Sequence, residues 1–165
     1  MVFFCTVKTN KSNEITAIPE LLELLNLKNK VITLDAMGCQ REIVDLVIKK
    51  ECDYVCSLKG NQDTIHQETI NFLEAHQSRD HQDGNFYFEE QHEEGHGRVE
   101  IRKYTFTATL DWGLESHKWP GLQAVRKVES IRKTKNKDSH ETRYFLTSLK
   151  DTEPQRFVRA IPNHW

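Results

Sequence analysis

What most constrains this chain is a change of hydrophobic period part-way along it. Val31-Ile-Thr-Leu34 is a short continuous apolar run of buried-strand type. Gln40–Lys50 then sets Ile43, Val44, Val47 and Ile48 at helical spacing. Tyr54-Val-Cys-Ser-Leu58 is a second apolar strand, and Thr64–His76 a second amphipathic helix carrying Ile65, Ile70, Phe72 and Leu73. Two strands whose starts lie roughly 20 residues apart, with a helix between them, form a βαβ unit and are expected to run parallel. From Phe86 the period becomes two. Phe86–Phe88, Val99–Thr109, Ala124–Lys133 and Thr142–Leu149 alternate apolar with polar residues, separated by turn-prone stretches such as Glu94-Gly-His-Gly97 and Lys135-Asn-Lys-Asp-Ser139. That is the pattern of a half-exposed antiparallel meander. The expected class is α/β, with helical periodicity giving way to a β-rich segment.

The ends of the chain complete this layout. Val2–Val7 reads as a strand, and Ser12 can cap a short helix whose apolar face, within Ile18–Leu27, is formed by Leu21, Leu22, Leu24 and Leu25. Asp151–Trp165 turns helical again. By periodicity, residues 1–76 form the strand-and-helix part, 77–150 the β-rich part and 151–165 the start of a further helix.

Composition excludes several classes. Apolar residues make up 37% and charged residues 29%, an ordinary balance for a globular chain. No run reaches the roughly 18 apolar residues of a membrane span, and the N-terminus lacks the basic start and small-residue cleavage site of a signal peptide. The four cysteines, Cys5, Cys39, Cys52 and Cys56, show no Cys-x-x-Cys spacing and read as reduced thiols of a cytoplasmic protein. The net charge of −2 conceals an asymmetry: residues 61–97 carry 1 basic and 9 acidic side chains, residues 98–165 carry 14 and 8. Only one part of the surface is therefore expected to suit a polyanion. The densest basic run is Arg126, Lys127, Arg132, Lys133, Lys135 and Lys137. Trp112, Trp119 and Tyr144 read as core aromatics rather than base-stacking platforms.

His92-Glu-Glu-Gly-His96 matches the His-Glu-x-x-His pattern of zinc proteases. That chemistry needs both imidazoles on one helical face with the glutamate as general base. Gly95 and Gly97 flank the second histidine, each costing a helix about 1 kcal/mol against alanine. The flanking residues alternate as strands do, so the match is read as a turn and a zinc metalloprotease is the weaker alternative.

Asp35 ends the first apolar strand of the βαβ unit, and Lys59-Gly-Asn61 ends the second. Ligands of parallel sheets bind beyond the carboxyl ends of the strands, so both places are expected to face one site. Around them lie Lys11-Ser-Asn-Glu-Ile-Thr-Ala-Ile-Pro19, Thr33-Leu-Asp-Ala-Met-Gly-Cys-Gln40, Asp53-Tyr-Val55 and Leu58-Lys-Gly-Asn-Gln62. Further on come Gly95-His-Gly-Arg-Val-Glu-Ile-Arg102, Glu141-Thr-Arg-Tyr144, Ser148-Leu149 and the closing His164-Trp165. In this order the chain resembles the insertion-sequence DDE transposases, in the branch that includes the H-repeat-associated proteins.

That resemblance implies an incomplete ribonuclease-H-like fold, with residues 1–76 as a partial catalytic core, 77–150 as a β-rich insertion and 151–165 as the start of the final catalytic helix. It implies DNA cleavage and strand transfer by two divalent metal ions, magnesium for preference, held by three carboxylates. Asp35 matches the second of these and is the catalytic and metal-binding candidate. The first aspartate of the family lies on an earlier strand and its glutamate in an Ile-Glu-Asn motif after His-Trp. The chain is therefore read as truncated at both ends and inactive alone, and a non-catalytic DNA-binding remnant is the alternative. Val2–Cys5 and Pro162 depart from the family pattern. In the family's sheet two further strands lie between the one resembling Val2–Val7 and that of Asp35, and without them the remaining strands are expected to expose unpaired edges. The implied partner is DNA at transposon ends, with homodimerisation admitted and no membrane. Candidate DNA contacts are Lys59, Asn61, His96, Arg98, Arg102, Arg126, Lys127, Arg132, Lys133 and Arg143.

Overall fold

A computed structural model describes residues 2–3, 14–77, 86–95, 97–107, 118–150 and 154–161. The chain order is β1 (Val2–Phe3), α1 (Glu14–Leu24), β2 (Val31–Leu34), α2 (Arg41–Lys49), β3 (Asp53–Leu58), a 3-10 turn at Gly60–Gln62 and α3 (Asp63–Gln77). Then follow β4 (Phe86–Gly95), β5 (Arg98–Thr107), β6 (Ala124–Thr134), β7 (Asp138–Thr147) and α4 (Pro154–Ala160). All seven strands belong to one sheet in the order β1-β2-β3-β7-β6-β5-β4. The expected parallel pair is present, with Ile32 opposite Tyr54 and Leu34 opposite Cys56. The expected meander is antiparallel from β4 to β7 and joins the parallel part through β3 and β7, where Val55 faces Thr147 and Leu58 faces Tyr144.

Alternation along the strands explains the two cores. Ile32, Leu34, Tyr54, Cys56 and Leu58 point to the face covered by α1, α2 and α3, where Leu22, Ile43, Val44, Val47, Ile65 and Leu73 are buried. Trp119, Val125 and Leu146 extend that cluster under the meander. Val31 and Val55 point to the opposite face, into a smaller cluster with Tyr104, Phe106, Val128, Phe145 and Leu149. There α4 buries Phe157 and Ala160, with Phe157 set edge-on to both Phe106 and Phe145. Strands buried on both faces carry continuous apolar runs, the signal read in Val31–Leu34 and Tyr54–Leu58.

Several expectations change. The Val2–Val7 strand is described only at Val2–Phe3. Those residues pair in parallel directly with Val31 and Ile32, so β2 has a neighbour on that side. The helix expected within Ile18–Leu27 is α1, over Glu14–Leu24, with Pro19 inside it. Of the four leucines expected on the apolar face only Leu22 is buried; Leu24 is 83% exposed, and Leu25, one residue past the helix, 43%. The strand expected at Phe86–Phe88 runs on to Gly95, so His92 lies on extended backbone opposite Ile101. The zinc-protease helix is therefore absent from residues 86–95, and His96 lies outside the described residues, as does Trp112. Cys39, Cys52 and Cys56 are buried thiols, and burial pushes the Cys56 thiol well up, which suits inert packing. Cys5 also lies outside the described residues. No helix among the described residues is long and apolar enough to cross a membrane.

Helix α2 ends in a Schellman motif. The Glu51 N–H donates to Ile48 O at 2.9 Å and the Cys52 N–H to Val47 O at 3.1 Å, with Glu51 itself at φ 56°. Glycine is the usual residue there because it has no Cβ to clash. Glu51→Gly is expected to raise stability by about 1 kcal/mol, its exposed ion pair with Lys28 being worth little. Gly121, at φ 64°, has the opposite problem: an added Cβ would stand 2.5 Å from Ile48 Cδ1. Gly121→Ala is expected to cost about 1–3 kcal/mol. Urea denaturation of both variants checks the two signs.

Candidate functional site

The loop after β2 shows how the sequence presents its acidic residue. All four residues of β2 are buried, and Asp35, one step further, is exposed. Its carboxylate folds back on its own turn, Oδ1 accepting the Gly38 N–H at 2.9 Å while its backbone oxygen accepts the Cys39 N–H at 2.9 Å. Gly38 is packed under Ile18 and Leu34, which fixes the turn from below. The loop after β3 reaches the same place. Asn61 Nδ2 donates to Ala36 O at 2.7 Å, so the expectation that Asp35 and the Lys59–Asn61 turn share an edge holds for Asn61. That bond commits the amide nitrogen of Asn61 to the loop, while Lys59 is exposed.

Beside these loops, between the N-terminal turns of α2 and α3, lies a cleft of about 460 Å³ lined by Gln40, Arg41, Asn61, Asp63, Thr64 and Trp119. The Arg41 guanidinium sits over the Trp119 ring, 5.8 Å from its centroid. Sequence reasoning did not pick out Arg41 or Asp63. The signal for Arg41 was its place at the first residue of a helix, where the dipole disfavours a cation unless something else holds it.

Asp35 offers the hard oxygen donor that magnesium prefers. Among the described residues, however, no three His, Cys, Asp or Glu side chains gather as a metal cluster. The donor type fits a divalent ion and the donor number does not fit a two-metal site, so no chemical step is assigned to a metal here.

The basic candidates divide into three groups. Arg98, Arg102 and Arg132 converge on Glu100: Arg102 Nη2 lies 2.8 Å from Oε2, Arg132 Nη2 and Nε each 2.9 Å from Oε1, and Arg98 Nε 3.3 Å from Oε1. Arg143 pairs with Glu141 at 2.7 Å. Arg126 and Lys127 are corrections. Arg126 is fully buried, its guanidinium 4.7 Å over Phe106 and 5.6 Å over Phe157, because its register on β6 faces the α4 side of the sheet. Lys127 points to the other face, is 7% exposed and lies 3.3 Å from Glu129. Neither side chain offers a phosphate an open surface. Lys133 is exposed at the tip of the β6–β7 hairpin with Lys135 and Lys137. Of the aromatics read as core, Trp119 is buried, and Tyr144 is half-buried with His66 edge-on to it.

Against known proteins, the family model described as Transposase DDE domain matches residues 2–165. The chain belongs to that family. It is 38% identical over 164 residues to "Putative transposase YncI" of Escherichia coli O157:H7, covering 96% of this chain and 41% of that protein. It is 34% identical over 165 residues to "H repeat-associated putative transposase YhhI" of Escherichia coli strain K12, covering 96% and 43%. A third relative, the "Uncharacterized protein in dhlA 3'region" of Xanthobacter autotrophicus, is 40% identical over 138 residues, covering 84% and 45%. The chain thus spans less than half the length of these curated relatives.

The turn geometry separates two roles of Asp35. Asparagine keeps an oxygen that can accept the Gly38 N–H, whereas alanine does not. Asp35→Asn is expected to leave the unfolding free energy within about 0.5 kcal/mol, and Asp35→Ala to lower it by about 1 kcal/mol, in chemical denaturation.

Proposed function

We propose that this transposase-family chain contributes Asp35 as the second of the three carboxylates that carry out DNA cleavage and strand transfer. The observation that carries this reading is the exposure of Asp35 at the carboxyl end of a fully buried parallel strand, in a chain matched almost throughout by a DDE-domain model. The parallel unit of β2, α2 and β3 is read as part of a ribonuclease-H-like core. The β4–β7 meander is read as its β-rich insertion, and α4 as the approach to the final catalytic helix. Magnesium is the expected ion, and the other two carboxylates come from outside the described residues. The expected partner is DNA at transposon ends, in the cytoplasm.

Contacts to DNA phosphates fall on Lys59 beside the Asp35 loop, on Lys133 at the hairpin tip and on Arg98, Arg102, Arg132 and Arg143. Asn61 shapes the loop that presents Asp35, and His96 is kept as a contact outside the described residues. A second reading is favoured by one observation: no further metal-ligating cluster surrounds Asp35 among the described residues. A chain with that single carboxylate would bind DNA without cutting it.

The two readings share a first test. Supercoiled plasmid incubated with the purified chain and magnesium is expected to stay uncut, because one carboxylate with waters holds the ion weakly. Robust nicking that Asp35→Asn abolishes would overturn inactivity of the chain alone. Retardation of duplex DNA that fades steeply with salt would support the DNA reading. No retardation even at low salt would sink it.

A further inference from the structure

On the outer half of the α4 face, the register of β5, β6 and β7 assembles a polar hollow of about 190 Å³. One row across the strands is Glu100, Arg132 and Ser139, and the next is Arg102, Ser130 and Glu141. Arg143 lies on the same face of β7, two residues beyond Glu141, and Phe145 and Ile161 close the inner end. Glu100 sits at the middle with 8% of its surface exposed. A single carboxylate there meets three guanidinium groups, of Arg98, Arg102 and Arg132. The side chains of Arg98 and Arg132 nevertheless stay 51% exposed.

We infer that this hollow binds one phosphodiester group of a nucleic-acid backbone, with Glu100 as the positioning residue that holds the arginines facing it. The inference rests on the DNA reading above and adds the place and the organising group. A carboxylate accepts about four hydrogen bonds and a guanidinium donates five, so Glu100 can anchor three arginines while the half-exposed Arg98 and Arg132 turn donors toward another acceptor. Without the carboxylate, like charges repel and the long side chains spread into solvent. Ser130 and Ser139 add hydroxyl donors. Counting Glu93, which pairs with Arg102 at 3.3 Å, the four arginines exceed the three glutamates by a single positive charge. That excess matches a singly charged phosphodiester better than a free phosphate dianion.

The sign of one substitution separates positioning from bulk charge. Glu100→Gln makes the chain more positive, so simple electrostatics predicts tighter binding to DNA. Positioning predicts the reverse. Anisotropy of a fluorescein-labelled 20-base-pair duplex, titrated with the full chain over a range of NaCl, is expected to show binding weakened about fivefold to tenfold. The slope of log K against log salt should also become shallower by about one. Glu94→Gln changes the same charge on exposed β4 and is expected to leave binding unchanged or slightly tighter. Glu100→Asp keeps the charge but shortens the reach, and is expected to weaken binding about twofold to threefold. It decides the matter if circular dichroism shows Glu100→Gln unfolded. Equal or tighter binding by folded Glu100→Gln, or unchanged binding by Glu100→Asp, would overturn the inference while leaving the DNA reading intact. No duplex binding by the unsubstituted chain would overturn both.

Discussion

The antiparallel pairing of β3 with β7 holds the described parts of this chain together as one body. Four residue pairs, from Val55 opposite Thr147 to Leu58 opposite Tyr144, join the parallel unit to the meander. Side chains extend the junction past the ladder. Thr147 Oγ1 donates to Tyr54 O at 2.7 Å, and the Tyr54 N–H donates to Ser148 Oγ at 2.9 Å. The Ser148 hydroxyl and Arg156 Nη2 each donate to Asp53 at 2.9 Å, which ties α4 to the start of β3. These groups are mostly buried, so each bond left unmade would expose a polar atom to an apolar interior. Above and below the junction lie the two cores, with Leu146 in one and Phe145 in the other.

This junction sets what the sheet can present. Asp35 faces solvent from the carboxyl end of β2, two strands from β7, and the arginine hollow lies on the outer half of β5–β7. Both are carried by one continuous sheet rather than by a loop between bodies. The meander also limits its own charge. Its arginines meet glutamates across and along the strands, as Arg132 meets Glu100 and Arg143 meets Glu141, so part of the basic balance of residues 98–165 is neutralised within the sheet. The outermost strand, β4, carries Glu89, Glu90, Glu93 and Glu94, which discourage a second strand from adding to that edge.

Much of this was legible in the sequence where a periodic signal had one cause. The helix boundaries at Arg41–Lys49 and Asp63–Gln77 lie close to the expected ones, because a helix packed on a sheet must repeat its apolar face every 3.6 residues. Asp35 stood out because a charged residue ends a run of buried ones. The length of β4 was not legible: Glu89–Glu94 is polar on both faces, and an edge strand with little to bury loses its period. Arg126 was misread for a different reason. Composition shows a cation in a basic run, but only the register reveals Phe106 and Phe145 on either side of it and Phe157 above. The convergence of three arginines on Glu100 is likewise a matter of register, invisible until β5 and β6 are aligned.

If β3–β7 pairing is the junction on which both halves depend, the amide hydrogens of Val55, Cys56, Phe145 and Leu146 should exchange only through global unfolding. Native-state hydrogen exchange in low concentrations of denaturant measures this directly. The expected result is one shared opening free energy for these four amides, equal to that of global unfolding, with β2 and β6 opening at the same point. Exchange of β2 and β3 at a lower free energy, while β5 to β7 stay protected, would show two independent bodies and contradict this view of the fold.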